Sequence, residues 1–498
     1  MKKTEPDIFQ KAGTPLTSVE RSNQNAAEPQ SDMRTKSASG PPSAPNRQAR
    51  AVVAPASMQQ LQVLEFFDAG RIPEAFHQTW IGRRALLIQP RLDVNRVRRA
   101  VQAVVARHES LRMRFVYENN MWGVVIDPPR ADVFVEENIG PMDHQALERL
   151  VADRLAPVLD PFTDPMIEIR LLRLGAQGDA LLLRGHHLVL DGWSMAIILG
   201  EVFKYYVGIP LGPPSAMNHQ RFLREFTGFG NPRLLAERES YFRKLLLPAP
   251  PLPNTGRAKK GLEPNRHDVA ANPGAECIVA ISRNRRRELL EKAKAAGVTD
   301  SSLFIASYAM AIGRMGGVDD VQINIPTANR TDRALLDYVG WVSAMMPVRC
   351  KLRRSATVGE LARELHMQFL RSAAHLPIDF AYLDRSGSIR QEQIEAGAFP
   401  NQFEGGMLVP EGLMNAVPIA PILIATGGES VKFGGTQITS LSLSSLPKFV
   451  ICELELRTYN SGDEYRYIAN YDQTAFNRAE TLEMINTVIE NMAPGATT

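Results

Sequence analysis

Apolar and polar positions along this chain alternate between two periods. Leu181, Leu182 and Leu183 open an apolar, β-prone run that passes through Arg184, Gly185, His186 and His187 to Leu188, Val189 and Leu190. Asp191-Gly192 then marks a turn. Beyond it the apolar spacing changes to threes and fours, with Met195, Ile198, Leu199, Val202 and Tyr206 on one helical face and Ser194 at its opening. The same change of period recurs elsewhere. A helix capped by Asp93 runs through Val97, Val101, Val104 and Val105 and passes into a strand near Arg112-Met113-Arg114-Phe115. Further on, residues 283–296 read as a helix capped by Ser282, and 301–315 as an apolar helix. Residues 321–325, 339–349 and 465–472 read as strands, and 477–492 as a closing helix.

Two stretches break the pattern. Residues 1–52 are rich in Ser, Pro, Asn, Gln and Ala, with Phe9 as their one aromatic side chain. Such a composition buries too little apolar area to offset its ordering entropy, so a disordered tail is expected. It reads either as a plain leader or as a docking arm for a partner, through Ile8-Phe9. Residues 231–264 contain Pro248, Pro250, Pro251 and Pro253, which follow a charged helix around Leu234 to Leu245, with Lys259-Lys260-Gly261 beyond, and read as a linker. The expected division is a first lobe over 53–230 and a second over 265–498, since 498 residues exceed what one core comfortably holds.

Charge and cysteine content narrow the classes. The formal charge of +3 equals the balance of the tail alone, eight basic against five acidic residues, so the folded part is near neutral and nothing points to nucleic acid. Cys277, Cys350 and Cys452 are widely spaced, without a CxxC pair, as suits a reducing compartment. Glu5 and Asp7 follow Lys2-Lys3 where a signal peptide needs apolar residues, and no run is long enough to span a bilayer. A cytoplasmic location without membrane contact is expected.

The adjacent histidines are the first chemical candidates. On a strand, neighbouring side chains point to opposite faces, so His186 and His187 make a poor chelate but a reasonable pair of one working and one packed imidazole. Three readings fit the stretch. It can be two satisfied histidines beside a turn. Gly192-Trp193-Ser194-Met195-Ala196 can be a serine nucleophile elbow, with Ala196 where that elbow has its last glycine. Or HHLVLDGWS is the HHxxxDG signature, and on it the chain resembles the condensation domains of nonribosomal peptide synthetases. RHESLRMRF at 107–115 is similar to that family's RHExLRTxF, with Met113 for Thr. Looser likenesses are the Ser57–Gln60 stretch, Asn329-Arg330, Val339-Gly340 with Pro347 and Arg349, and His375-Leu376-Pro377-Ile378-Asp379-Phe380. Ala344-Met345 stand where the family has Asn-Thr, and Val450 where many members have Asp.

The resemblance covers roughly residues 55–495. It implies an α/β fold of two chloramphenicol-acetyltransferase-like sandwich lobes in a V, with a tunnel between them. It implies a free-standing condensation enzyme that moves an acyl group from a carrier protein's phosphopantetheine thioester to an amine or hydroxyl. His187 maps to the functional imidazole, and Gly192 to a position beside the reacting centre, where it could supply an N–H to the oxyanion. His186, Asp191 and Arg330 map to supporting roles, Asp191 as an anion held by Arg330. The chain itself would bind no cofactor and no metal; phosphopantetheine would arrive on an acyl- or peptidyl-carrier protein, the acceptor as a small molecule or on a carrier, and the enzyme would act as a monomer. A hydrolase using Ser194 and a non-catalytic carrier-binding scaffold remain the other classes. Thr426-Gly427-Gly428-Glu429-Ser430-Val431 imitates a carrier's modification site, but its flanks at 422–424 and 434–438 read as strands and the stretch itself as a hairpin turn.

Overall fold

The computed structural model describes residues 52–68, 77–262, 272–376, 389, 392–393, 403–407, 429–450, 452–461 and 464–492. The first strand, β1 (Ala54–Pro55), leads into α1 (Met58–Asp68). Ser57 and Gln60 cap α1 reciprocally: Gln60 N donates to Ser57 Oγ at 3.1 Å and Ser57 N to Gln60 Oε1 at 2.8 Å. Strand β2 (Ile81–Gln89) follows, then α2 (Val94–Arg107), where Asp93 accepts from Arg96 N as expected. β3 (Met113–Glu118) and β4 (Met121–Ile126) form a hairpin, and β5 (Phe134–Asn138), α3 (His144–Leu155), β6 (Ile167–Arg173) and β7 (Asp179–His186) complete the approach to the histidines. Helix α4 (Gly192–Tyr206) leaves the turn after them.

The second lobe repeats the plan. Helix α5 (Pro232–Leu246) precedes β8 (Asn272–Ser282), α6 (Arg283–Ala295), α7 (Asp300–Gly316), β9 (Asp320–Thr327), β10 (Ala344–Lys351) and α8 (Val358–Ala373). Then come β11 (Phe403–Met407), β12 (Ser430–Phe433), β13 (Thr436–Ser440), β14 (Phe449–Val450), β15 (Leu454–Ser461), β16 (Glu464–Asp472) and α9 (Arg478–Asn491).

Among the described residues the strands form three sheets, ordered β1-β4-β3, β12-β13-β2-β7-β6-β5 and β10-β9-β11-β15-β16-β8-β14. Two large cores go with them. In the first, Val97, Val101 and Val104 of α2 and Ile198, Leu199 and Val202 of α4 pack on Leu86, Ile88, Leu181 and Leu183. In the second, α7 is apolar on nearly every side and is buried among the sheet, α8 and α9. The two α/β sandwich lobes are those expected. No single helix among the described residues is long and apolar enough to cross a membrane.

Four boundaries differ from expectation. The supposed linker of 231–264 holds α5, the helix expected around 234–245, and its Phe242 and Leu246 belong to the second core, so the first part of that stretch is folded structure and not linker. The segment expected to be wholly second-lobe sends β12 and β13 to the first lobe's sheet, where Ile438 pairs with Ile88 and Thr439 with Leu87. The turn of that hairpin is Gly434-Gly435, both at positive φ, rather than the stretch at 426–431, of which residues 426–428 lie outside the described set. Lastly, β10 begins at Ala344, and residues 339–343 form a loop instead of extending the strand.

Ile438 is fully buried in the first core although it lies far along the chain. Ile438→Ala is expected to destabilise the protein by about 2–5 kcal/mol. Chemical denaturation measures the loss, and amide exchange should quicken in β2 as well as in β13.

Candidate functional site

The site grows from the end of β7. The backbone N–H of His186 donates to Met166 O at 2.9 Å, and that of His187 to Trp80 O at 2.7 Å. The strand stops there because Val189 N folds back to His186 O at 3.1 Å, forming the turn that leads to Asp191. Gln60 reaches across from α1 and donates from Nε2 to Leu188 O at 2.7 Å. The reciprocal cap on α1 therefore also fixes the turn.

Asp191, rather than Ser194, caps α4. Its Oδ1 accepts from Ser194 N at 2.8 Å, which leaves Ser194 inside the first helical turn. Both residue types make good caps, so sequence alone could not separate them. Asp191 also bonds the second lobe. Its Oδ2 accepts from Val342 N at 3.1 Å and Ser343 N at 2.9 Å, and Arg330 NH2 lies 3.1 Å from Oδ1 and 3.3 Å from Oδ2. The paired side chains are 1% exposed each. Burial alone would raise the carboxyl's pKa; the guanidinium and the N–H donors outweigh it and hold the group below its ordinary value. Arg330 is aimed by Asn329, which takes a positive φ of 52° and donates from Nδ2 to Val342 O at 3.1 Å. Arg330 NH1 donates to Leu335 O and to Tyr338 O, the latter at 2.7 Å.

Ser194 is taken up in the same junction. Its Oγ donates to Gly340 O at 2.9 Å and accepts from Gly340 N and from Arg330 NH2, each at 3.1 Å. It is fully buried, and among the described residues no imidazole bonds to it. A nucleophilic serine needs a base within reach and a path to substrate. Ser194 has neither, which removes the hydrolase reading.

The two histidines differ in surroundings. His186 is fully buried, accepts from Leu188 N at 3.1 Å through Nδ1, and has its pKa lowered from 6.5 to about 3 by burial and by the neighbouring His187. His187 lies deep but keeps part of its surface. Its Nδ1 is buried, and Nε2 is the ring nitrogen left open. Burial lowers its pKa too, while the Asp191 carboxylate and its own backbone carbonyl act in the other direction. The ring is neutral at physiological pH and able to take up a proton. At Gly192 a Cβ would meet nothing within 4 Å, so the space beside the turn is open.

Two residues of this site were not singled out from the sequence. Trp80 meets the His187 ring edge-on with centroids 6.1 Å apart, and Trp341 with centroids 5.0 Å apart. Trp193 adds a bond from Nε1 to Leu336 O at 3.1 Å and lies 5.6 Å from the Arg330 guanidinium carbon. The chain has four tryptophans, and three of them gather here, the one sequence signal that could have pointed to them. The RHESLRMRF residues act structurally: Arg107 Nε lies 3.1 Å and His108 Nε2 2.7 Å from Glu201 of α4, while Glu109 accepts from His219 N at 2.6 Å. His375 stacks on Tyr241 at 4.0 Å, and residues 377–380 lie outside the described set. Ala344 and Val450, two departures from the motifs, are both buried in strands, and Ala344 directly follows Ser343, whose N–H bonds Asp191.

Comparison with known proteins gives one consistent picture. The profile of the family described as Condensation domain matches residues 71–406. Tyrocidine synthase 3 of Brevibacillus parabrevis is 25% identical over 356 residues, which are 70% of this chain and 5% of that protein. The chain thus spans a small part of that relative's length. Among solved structures, the SgcC5 protein from Streptomyces globisporus superposes with a TM-score of 0.68 at 17% identity, over 88% of this chain and 97% of that one. The first condensation domain of the calcium-dependent antibiotic synthetase, in complex with a substrate analogue, gives 0.67 at 17% identity, over 90% of this chain and 98% of that one.

Two expectations follow from the site's charges. Asp191→Ala leaves Arg330 buried without its partner and should cost about 3–5 kcal/mol, seen as a markedly lower melting temperature. Separately, His186 and His219 are held neutral down to about 3 and about 4, whereas an unfolded histidine takes its proton near 6.5. Their contribution to stability is complete above that value and is lost as the pH falls below it, by about 2 kcal/mol each at about pH 5. Calorimetry should show melting that falls with acidification, with a shallower slope in His219→Gln.

Proposed function

The chain belongs to the condensation-domain family, and we propose that within it this protein transfers an acyl group from a carrier-protein phosphopantetheine thioester to an amine or hydroxyl acceptor. The observation that carries the reading is His187: a neutral imidazole, open at Nε2, at the end of a strand that meets the second lobe. A thioester is already activated, so no covalent acyl-enzyme is needed. The acceptor's lone pair adds to the carbonyl carbon, and His187 takes the N–H or O–H proton as the new bond forms. Collapse of the adduct breaks the C–S bond, and the proton passes to the departing thiolate. Gly192 has a role too in this reading. Its lack of a side chain admits the thioester beside the imidazole, and its N–H, in the first turn of α4, is one that the helix does not use and can serve the developing oxyanion. Asp191 and Arg330 hold the junction and touch no substrate. The donor arrives on an acyl- or peptidyl-carrier protein, which supplies the phosphopantetheine; the acceptor is a small molecule or is itself carried.

The test is mass spectrometry of reactions containing a loaded acyl carrier and candidate amines and alcohols. Wild type should form amide or ester with one of them, and a folded His187→Ala protein should form it at least about a hundredfold more slowly. His186→Ala should lose stability first. Equal turnover by wild type and His187→Ala would leave the carrier-binding scaffold as the better reading.

A further inference from the structure

A histidine that acts as a base is commonly oriented by a third group through a hydrogen bond. Asp191 is the acid whose charge acts on the His187 ring, yet its oxygens already serve Arg330, Ser194 N, Val342 N and Ser343 N, and among the described residues no hydrogen bond joins it to His187. Beside its own backbone carbonyl, what meets the imidazole is aromatic. Trp80 and Trp341 lie next to one another against it, their own ring centroids 5.6 Å apart, so the three rings form one cluster. Edge-to-face contacts of this kind are directional as well as apolar.

Trp341 comes from the second lobe, on the loop at 339–343, and that loop is pinned on both sides of the indole. Gly340 holds Ser194 Oγ through its N–H and its carbonyl, at 3.1 and 2.9 Å. Val342 and Ser343 donate to Asp191. Behind the indole is a small cavity whose lining includes Ser57, Ser110, His219, Tyr338 and Trp341. Ser110 Oγ, in a residue 1% exposed, has no hydrogen-bond partner among the described residues. Trp341 is thus shared between the imidazole and a cavity with polar groups that could hold water.

We propose that Trp341, with Trp80, is the positioning residue of this site, fixing the His187 ring and keeping it dry, and that Asp191 acts on the reaction by holding the loop that presents Trp341. The proposal rests on His187 as the proton acceptor. Losing the indole frees the ring to rotate and opens it to the cavity. Both effects slow a step that needs a base in one orientation, whereas neither alters much how a small donor binds.

The experiment compares wild type with Trp341→Leu and Trp341→Phe, using a small soluble thioester and the accepted nucleophile, together with an NMR titration of the His187 ring. Trp341→Leu should lower kcat by about tenfold to a hundredfold while KM changes about twofold or less. Its His187 should titrate closer to the ordinary 6.5 than in wild type, where burial holds it lower. Trp341→Phe, which restores an aromatic edge, should regain most of kcat. Should Trp341→Leu not fold, Trp80→Leu carries the same expectation, since its indole meets the same imidazole. A folded Leu variant with wild-type kcat and an unmoved His187 titration overturns the proposal. Failure of the underlying reading shows differently, as full turnover by His187→Ala, and the ring titration still reports on the clamp in that case.

Discussion

Everything near the His187 imidazole depends on one buried ion pair. Asp191 and Arg330 come from different lobes and are almost wholly removed from water. Such a pair is not in itself a strong source of stability, because desolvating two charges offsets much of their attraction. Its value here lies in geometry. Six donors or acceptors converge on it, from the cap of α4, the 339–343 loop and the carbonyls of Leu335 and Tyr338. Apolar packing could hold the lobes together but could not set the height of α4, the loop and the Arg330 turn to within a hydrogen bond's tolerance.

Around that pair the site separates polar from apolar tasks. Charges stay on the structural side, where each finds a partner. The His187 imidazole is left against aromatic rings, where burial lowers its pKa and the Asp191 carboxylate acts the other way without bonding it among the described residues. Had Asp191 bonded His187 directly, the ring would bind its proton more tightly.

Much of this was legible in the sequence and some was not, for physical reasons. The strand, turn and helix at 179–206 follow from a change of hydrophobic period, a local property. The partnership of Asp191 with Arg330 was expected only through family likeness, since nothing local to either residue names the other. Which of Asp191 and Ser194 caps the helix depended on Ser194 being engaged by Gly340, a contact 146 residues away in sequence. Trp80 and Trp341 look like core aromatics, because sequence cannot show that a buried ring touches a histidine. Helix α5 was legible as a charged helical run around 234–245, but the prolines at 248–253 drew the linker's boundary back to residue 231, ahead of a helix that ends before they begin. A hairpin was expected here, but with its turn at 426–431 and not at Gly434-Gly435, and not crossing to the other lobe, because its alternation fits any sheet edge equally well.

That crossing hairpin bears on how the molecule is made. Strand β2 is bordered on one side by β7, close by in sequence, and on the other by β13, some three hundred and fifty residues later. As the chain leaves the ribosome, the first lobe's sheet must wait with an unpaired edge at β2 until most of the second lobe has been synthesised. The lobes are therefore not two beads that could be exchanged between relatives by joining chains at the proline-rich passage. A working chimera would have to carry residues 429–441 with the lobe they complete, not with the lobe they follow.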